Sequence, residues 1–352
     1  MGSGEMGPRM RRVHRAVIRR LSERRTRGGL VNAVVIDTPY GFQENAPTLS
    51  AAQIEFFGGL GTSPSLASFR RDDALARETA LARIRDADLV FSGPGSPSYA
   101  LRHWSGTALS GALAAKLTGG GALVAASAAA LCLGRLTVPV YEIYKAGADA
   151  HWLPGLDVLS AVGVNAAVVP HWDNAEGAGF DTRYCWLGER RLAELERQMP
   201  SDTLILGIDE HTALWLDVDA DTATVHGRGG VTVRRQGASH VIPASQTVGL
   251  SELRERNLPG SVTRPAPPPP IPAAIDSVLA ERILELERSA ASASDRAQLV
   301  EPLVEALLEL RRAARAMAAY DVADGIRDTL VARGVEVIDA PDGRTTFRIR
   351  VT

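Results

Sequence analysis

Two cysteines, Cys132 and Cys185, are all that the 352 residues contain, and neither belongs to a C-x-x-C pair. That argues against a disulfide framework or a cysteine-rich zinc site and fits a reducing, cytoplasmic compartment. No apolar run approaches the roughly 20 residues that a membrane-spanning helix needs. The arginine-rich N-terminus lacks the apolar core of a signal peptide, so neither membrane insertion nor export is expected. The formal net charge is only −2, which gives no global pull toward a polyanion. His14, His103, His151, His226 and His240 show no ligand spacing, and neither a metal nor a cofactor is expected.

What is present is an α/β pattern. Arginines crowd residues 9 to 27, while Met10, Val13, Val17 and Leu21 recur every three to four residues, as in a helix with a solvated basic face. Apolar runs follow at Val31 to Ile36, Asp88 to Phe91, Gly121 to Ala126, Ala166 to Pro170 and Leu204 to Ile208. Helical stretches lie between them, among them Asp73 to Asp86 and Arg183 to Gln198. Strands that are apolar throughout and alternate with helices predict a mostly parallel sheet covered by helices on both faces. From Thr212 to Arg235 short alternating strands suggest a β-rich edge. The segment Arg264 to Pro272, RPAPPPPIP, reads as a stiff polyproline spacer. These features divide the chain into an α/β domain over 1–255, a linker over 256–272 and a small, mainly helical domain over 273–352.

The most informative stretch is GGGALVAASAAALCLG, Gly119 to Gly134. An apolar strand runs straight into Ser127, small residues flank it, and a helix-like run follows. This is the layout of a nucleophile elbow, with Ala125 and Ala129 in the usual glycine places. A serine in this position can equally be a helix N-cap. A nucleophilic serine needs a base and an orienting acid. The strand ending in PHWDN delivers His171, and the strand ending in GIDEH delivers Glu210. Open α/β sheets place their ligands at such carboxyl ends. The turn Gly93-Pro94-Gly95-Ser96 lets backbone approach a substrate, so Gly95 and Ala128 are the expected oxyanion donors. Arg183 is a candidate clamp for a substrate carboxylate. Asp173, Glu176 and Asp181 surround a glycine-rich loop, read as a charged surface loop rather than a metal site. Cys185 reads as an inert thiol and His211 as a surface strand residue.

GSGE at Gly2 to Glu5, DLVFSGPGS, the serine elbow, PHWDN, and GIDEHTALWLDVDADTATVHGRGGVTV occur in one order. Together they resemble the serine peptidase family that contains dipeptidase E and cyanophycinase, over roughly residues 1 to 255. The resemblance implies a class I glutamine amidotransferase-like fold and a serine triad acting on peptides that contain aspartate. It places the nucleophile at Ser127 and the base at His171. Cyanophycinase-like members put the acid at Glu210, and dipeptidase E-like members put it near Glu142. The elbow here reads SAAA where the family has SAGA. The strand that precedes GSGE in the family would lie before Met1.

The run from Leu307 to Arg350 resembles the end of cysteinyl-tRNA synthetases, but no HIGH-like or KMSKS-like motif occurs anywhere in the chain. From Ile271 onward there are fourteen acidic side chains, eleven arginines and no lysine. Such a balance supplies little phosphate neutralisation, so strong nucleic-acid binding is not expected. Three readings stand. The first is a serine hydrolase cleaving a peptide or amide bond. The second is a non-catalytic binding or regulatory protein on the same fold. The third is an RNA-associated protein acting through its tail. The tail itself suggests a protein-interaction or homodimerisation module.

Overall fold

A computed structural model describes residues 1–254 apart from 26–27, 71 and 178. Beyond these it describes residues 304–305, 307–309, 311–312, 326 and 330, and the backbone of 335–339 and 345–349. The chain divides into two compact units, Met1–Arg264 and Pro265–Thr352. The proline-rich spacer lies outside the described residues.

The first unit opens with α1 (Pro8–Arg24), β1 (Val31–Ile36), α2 (Ala46–Gly58), β2 (Thr62–Ala67) and α3 (Ala74–Asp86). It continues with β3 (Leu89–Ser92), α4 (Pro97–Trp104), α5 (Leu109–Thr118), β4 (Ala122–Ala125) and α6 (Ala128–Cys132). Next come β5 (Leu136–Thr137), α7 (Val140–Tyr144), β6 (Leu153–Pro154), β7 (Ala166–Val169), α8 (Gly188–Arg197) and β8 (Leu204–Ile208). It closes with β9 (Thr212–Asp217), β10 (Thr222–Gly227), β11 (Val231–Arg235), β12 (Ala238–Ile242), β13 (Thr247–Gly249) and α9 (Leu250–Arg254). The second unit contains an antiparallel pair, β14 (Val335–Asp339) and β15 (Thr345–Ile349). Among its described side chains Val304, Leu308 and Leu330 are buried together.

Strands β2-β1-β3-β4 form a wholly parallel sheet. A second sheet has the order β12-β11-β8-β7-β5-β6, parallel where β7 meets β8 and β5, and antiparallel at β11, β12 and β6. Strands β13-β10-β9 make a third, antiparallel sheet. The expected α/β architecture with a mostly parallel sheet is therefore present, and the change of pattern after Thr212 marks the turn to antiparallel strands.

The side-chain period of two sends alternate residues of the first sheet into different cores. Val34, Ile36 and Val90 join one core with residues of α3, α4 and α5. Val31, Ala33, Val35, Leu89 and Phe91 join another with α1 and α2. Helices thus cover both faces. The apolar face of α1 is Met10, Val13, His14, Ile18 and Leu21. The His14 imidazole stands edge-on to Phe56, Phe57 and Phe91, and burial lowers its pKa to about 4. The arginines of this region find local acids: Arg20 bonds Asp217, Arg24 bonds Asp219 and Arg25 bonds Asp88. Strand β2 carries no clear strand signal because it contains Pro64 and two serines. It is an edge strand, where a missing N–H is tolerated.

Two boundaries differ from expectation and matter for the site. The helix expected from Arg183 begins at Gly188 instead. Tyr184, Cys185 and Trp186 all take positive φ, near 60°, in a left-handed turn. At Gly207 of β8 an added Cβ would lie 2.2 Å from the Trp172 ring. Trp172 follows His171 directly, so this close approach seats the histidine segment on the strand. Gly207→Ala should cost about 1–3 kcal/mol through overpacking, read as a lower urea midpoint. An unchanged midpoint would show that Trp172 is not tightly held there.

Candidate active site

Three strand ends converge at one place. Strand β4 ends at Ala125, and Ser127 follows with φ 50° and ψ −117°, a backbone conformation that L-residues rarely adopt. It stands at the N-cap position of α6, but its side chain makes no capping bond. The elbow is fixed from several directions. The Ser127 N–H donates to the Met1 carbonyl (3.2 Å), and the Met1 amine donates to the Ala125 carbonyl (2.8 Å). Leu131 N–H donates back to the Ser127 carbonyl (3.1 Å). Freed from capping, the Ser127 hydroxyl lies 3.0 Å from His171 Nε2.

His171 follows β7 and also has positive φ, 50°. Its carbonyl accepts the N–H groups of Asn174 (3.2 Å) and Cys185 (3.1 Å), and Trp172 N–H donates to Ile208 in β8 (3.1 Å). The left-handed turn over 184–186 brings Tyr184 N–H to the Trp172 carbonyl (3.0 Å), so the helix gives way to a clamp on the histidine segment. The Trp186 ring packs against the imidazole with centroids 4.9 Å apart. On the far side of the ring, Nδ1 is 2.9 Å from Glu210 Oε1. Glu210 follows β8, accepts a second bond from Asn174 Nδ2 (3.1 Å), and donates its N–H to Asp173 Oδ1 (2.7 Å).

The bond from His171 holds the Glu210 carboxyl below its ordinary pKa, with Asn174 adding to this against the opposing effect of burial. Glu210 is thus an anion at neutral pH, 27% exposed, beside an imidazole 14% exposed. Burial pushes the Cys185 thiol up to about 12 and the Cys132 thiol up as well, so neither supplies a thiolate near neutrality.

The structure thus joins Ser127, His171 and Glu210 in one hydrogen-bonded chain. Glu142 is not part of that chain: its carboxylate accepts a bond from Ser98. Arg183 donates Nε and Nη2 to Asp181 (2.8 and 2.7 Å), which lowers the Asp181 pKa to about 2. Gly95 has φ 140°, and a Cβ there would fall 2.1 Å from the Pro39 carbonyl oxygen, so the turn needs glycine. Ala129 N–H donates to the Gly93 carbonyl (3.2 Å), tying the elbow to this turn and placing Gly95 and Ala128 in two linked segments. His211 N–H donates to the Ser3 hydroxyl (3.2 Å). Asn174, Asp173 and Trp186 were not singled out from the sequence as site residues, although the first two stand in the PHWDN motif. An apolar cavity of about 210 Å³ between β4 and β9 contains none of the three chain residues. Among the described residues no cluster of three or more His, Cys, Asp or Glu could hold a metal ion, and no helix is long and apolar enough to cross a membrane.

No protein-family model matches the chain. The crystal structure of a peptidase from an acI-B1 actinobacterium superposes with TM-score 0.56 at 19% identity, covering 71% of this chain and 94% of that one. At this identity the match shows the fold, which is that of a known peptidase. A short segment is similar to cysteine–tRNA ligases. One from Novosphingobium aromaticivorans is 43% identical over 68 residues, and one from Salinibacter ruber is 60% identical over 40 residues. The chain spans 14% and 8% of the lengths of these two ligases.

The lowered Glu210 pKa fixes the sign of a pH effect. A carboxylate whose folded pKa is depressed contributes stability that is complete above its unfolded value, about 4.3. That contribution is lost as pH falls through the lower folded value. The stability gap between wild type and Glu210→Gln should therefore be widest above about pH 5 and close as pH falls below about 4. Urea midpoints at several pH values measure it. A gap independent of pH would mean that Glu210 gains nothing from His171 and Asn174.

Proposed function

We propose that the first unit is a serine hydrolase that cleaves a peptide or amide bond. One observation carries this reading: a serine hydroxyl on a positive-φ elbow 3.0 Å from an imidazole nitrogen whose partner nitrogen is 2.9 Å from a carboxylate. In the proposed reaction Ser127 Oγ attacks the substrate carbonyl carbon as its proton passes to His171 Nε2. The N–H groups of Gly95 and Ala128 stabilise the oxyanion. The neighbouring amides of Ser96 and Ala129 already bind Pro39 and Gly93. The carbon–nitrogen bond then breaks as Nε2 returns the proton to the leaving nitrogen. Water repeats the sequence to free the acid. Glu210 orients the ring and balances the transient imidazolium charge.

The peptidase fold supports this reading, and the resemblance to the serine peptidase family of dipeptidase E and cyanophycinase suggests substrates containing aspartate. Arg183 would meet a substrate carboxylate by exchanging Asp181 for it. A fluorophosphonate should label wild type at Ser127, forming an Oγ–P bond as fluoride leaves. Ser127→Ala should take no label, and Glu210→Gln should label about 10⁴-fold more slowly, as for a lost orienting carboxylate. Equal labelling of wild type and Ser127→Ala would rule the proposal out.

For the second unit we propose a protein-interaction or homodimerisation module rather than an RNA anchor. Its acidic excess of fourteen to eleven supports this, as does the spacing of Glu309 and Arg312, whose charged groups lie 4.0 Å apart along the chain. Titration of the full chain against cysteine-specific tRNA at physiological salt should give no micromolar binding. Micromolar affinity with a steep salt slope would reverse the assignment.

A further inference from the structure

Three aromatic side chains extend in a row from His171, and the core accounts for only part of them. Trp186 packs on the imidazole, with centroids 4.9 Å apart, and belongs to the rim of the core around Trp172. Tyr144, in α7, lies 6.3 Å from Trp186 and 6.4 Å from Phe180. The Tyr144 and Phe180 rings are close to parallel, at 26°. Phe180 is 56% exposed, and Tyr144 and Trp186 are half-buried. Phe180 rises from a loop of small and polar residues, EGAGFDTR, where nothing in the sequence calls for a large apolar group. Exposed apolar side chains that lie next to one another and adjoin a reactive group mark a binding surface.

The side of the site they occupy follows from proton transfer. In the hydrolase proposed above, His171 Nε2 gives its proton to the departing nitrogen, which must then lie within hydrogen-bond reach of the ring. The residue carrying that nitrogen is therefore next to His171, while the acyl part faces the Gly95 and Ala128 amides. Trp186 adjoins the histidine, and Tyr144 and Phe180 continue the row outward from it.

We propose that this aromatic row is the leaving-group subsite, and that the protein selects substrates whose departing amine belongs to an aromatic or large apolar residue. The inference rests on Ser127 being the nucleophile. Ring stacking on Tyr144 and Phe180 and burial against Trp186 provide the selection.

The test uses the full chain and needs no identified substrate. An amine occupying the leaving-group side blocks approach of a fluorophosphonate to Ser127. L-phenylalaninamide and L-alaninamide are compared as protectants, and the rate of labelling is followed against the concentration of each. Phenylalaninamide should halve the rate at a concentration at least about tenfold lower than alaninamide, as expected for an added apolar ring in a fitted pocket. Phe180→Ala, which alters an exposed side chain away from His171, should shrink that ratio to about threefold or less. Equal protection by both amides in wild type, or a tenfold ratio that persists in Phe180→Ala, would overturn the subsite. Wild type that takes no label at all would overturn the serine nucleophile itself, and the subsite with it.

Discussion

The Ser127 elbow is the constraint around which the first unit is arranged. A serine with φ 50° between an apolar strand and a helix is strained, and such conformations cost on the order of 1–3 kcal/mol each. The surroundings offset that cost with bonds that also position neighbours. Met1 binds both Ala125 and Ser127. Ala129 reaches the Gly93 carbonyl, so the turn carrying Gly95 cannot move independently of the serine. Small residues are needed throughout: Ala125, Ala126, Ala128, Ala129 and Ala130 are all buried. Alanine in the positions that often hold glycine therefore fits this elbow without displacing its backbone.

A second set of strained residues holds His171. His171 and the run from Tyr184 to Trp186 all have positive φ. The turn spends helix-forming sequence on two backbone bonds, one to His171 and one to Trp172. Below it, Gly207 leaves room for the Trp172 ring, and Trp172 N–H binds Ile208 of the strand that delivers Glu210. His171 and Glu210 thus share one support. Their separation is fixed by the parallel register of β7 and β8, in which Val169 pairs with Gly207.

What could be read from the sequence follows the same physics. Runs such as Val31 to Ile36, apart from Asn32, and Leu204 to Ile208 are apolar because both faces of those strands are buried, and they are legible to the residue. Ser127, His171 and Glu210 were legible because each ends such a run. The left-handed turn was not. Its residues, followed by the amphipathic pattern of α8, satisfy a helical period, and only the tertiary demand of the His171 carbonyl breaks it. Strand β2 was hidden by Pro64, and the aromatic row by its scatter over Tyr144, Phe180 and Trp186. The sequence pattern puts Arg183 in a helix; it instead stands in the turn, bound to Asp181.

The central claim is that Ser127 is a nucleophile set against a preformed oxyanion site. A crystal structure of the protein after reaction with a fluorophosphonate tests it most directly. The account predicts phosphorus bonded to Ser127 Oγ, with the phosphoryl oxygen about 2.7–3.1 Å from the N–H groups of both Gly95 and Ala128. An adduct whose phosphoryl oxygen turns to solvent and leaves those two amides unbound, or an adduct on another residue, would contradict it.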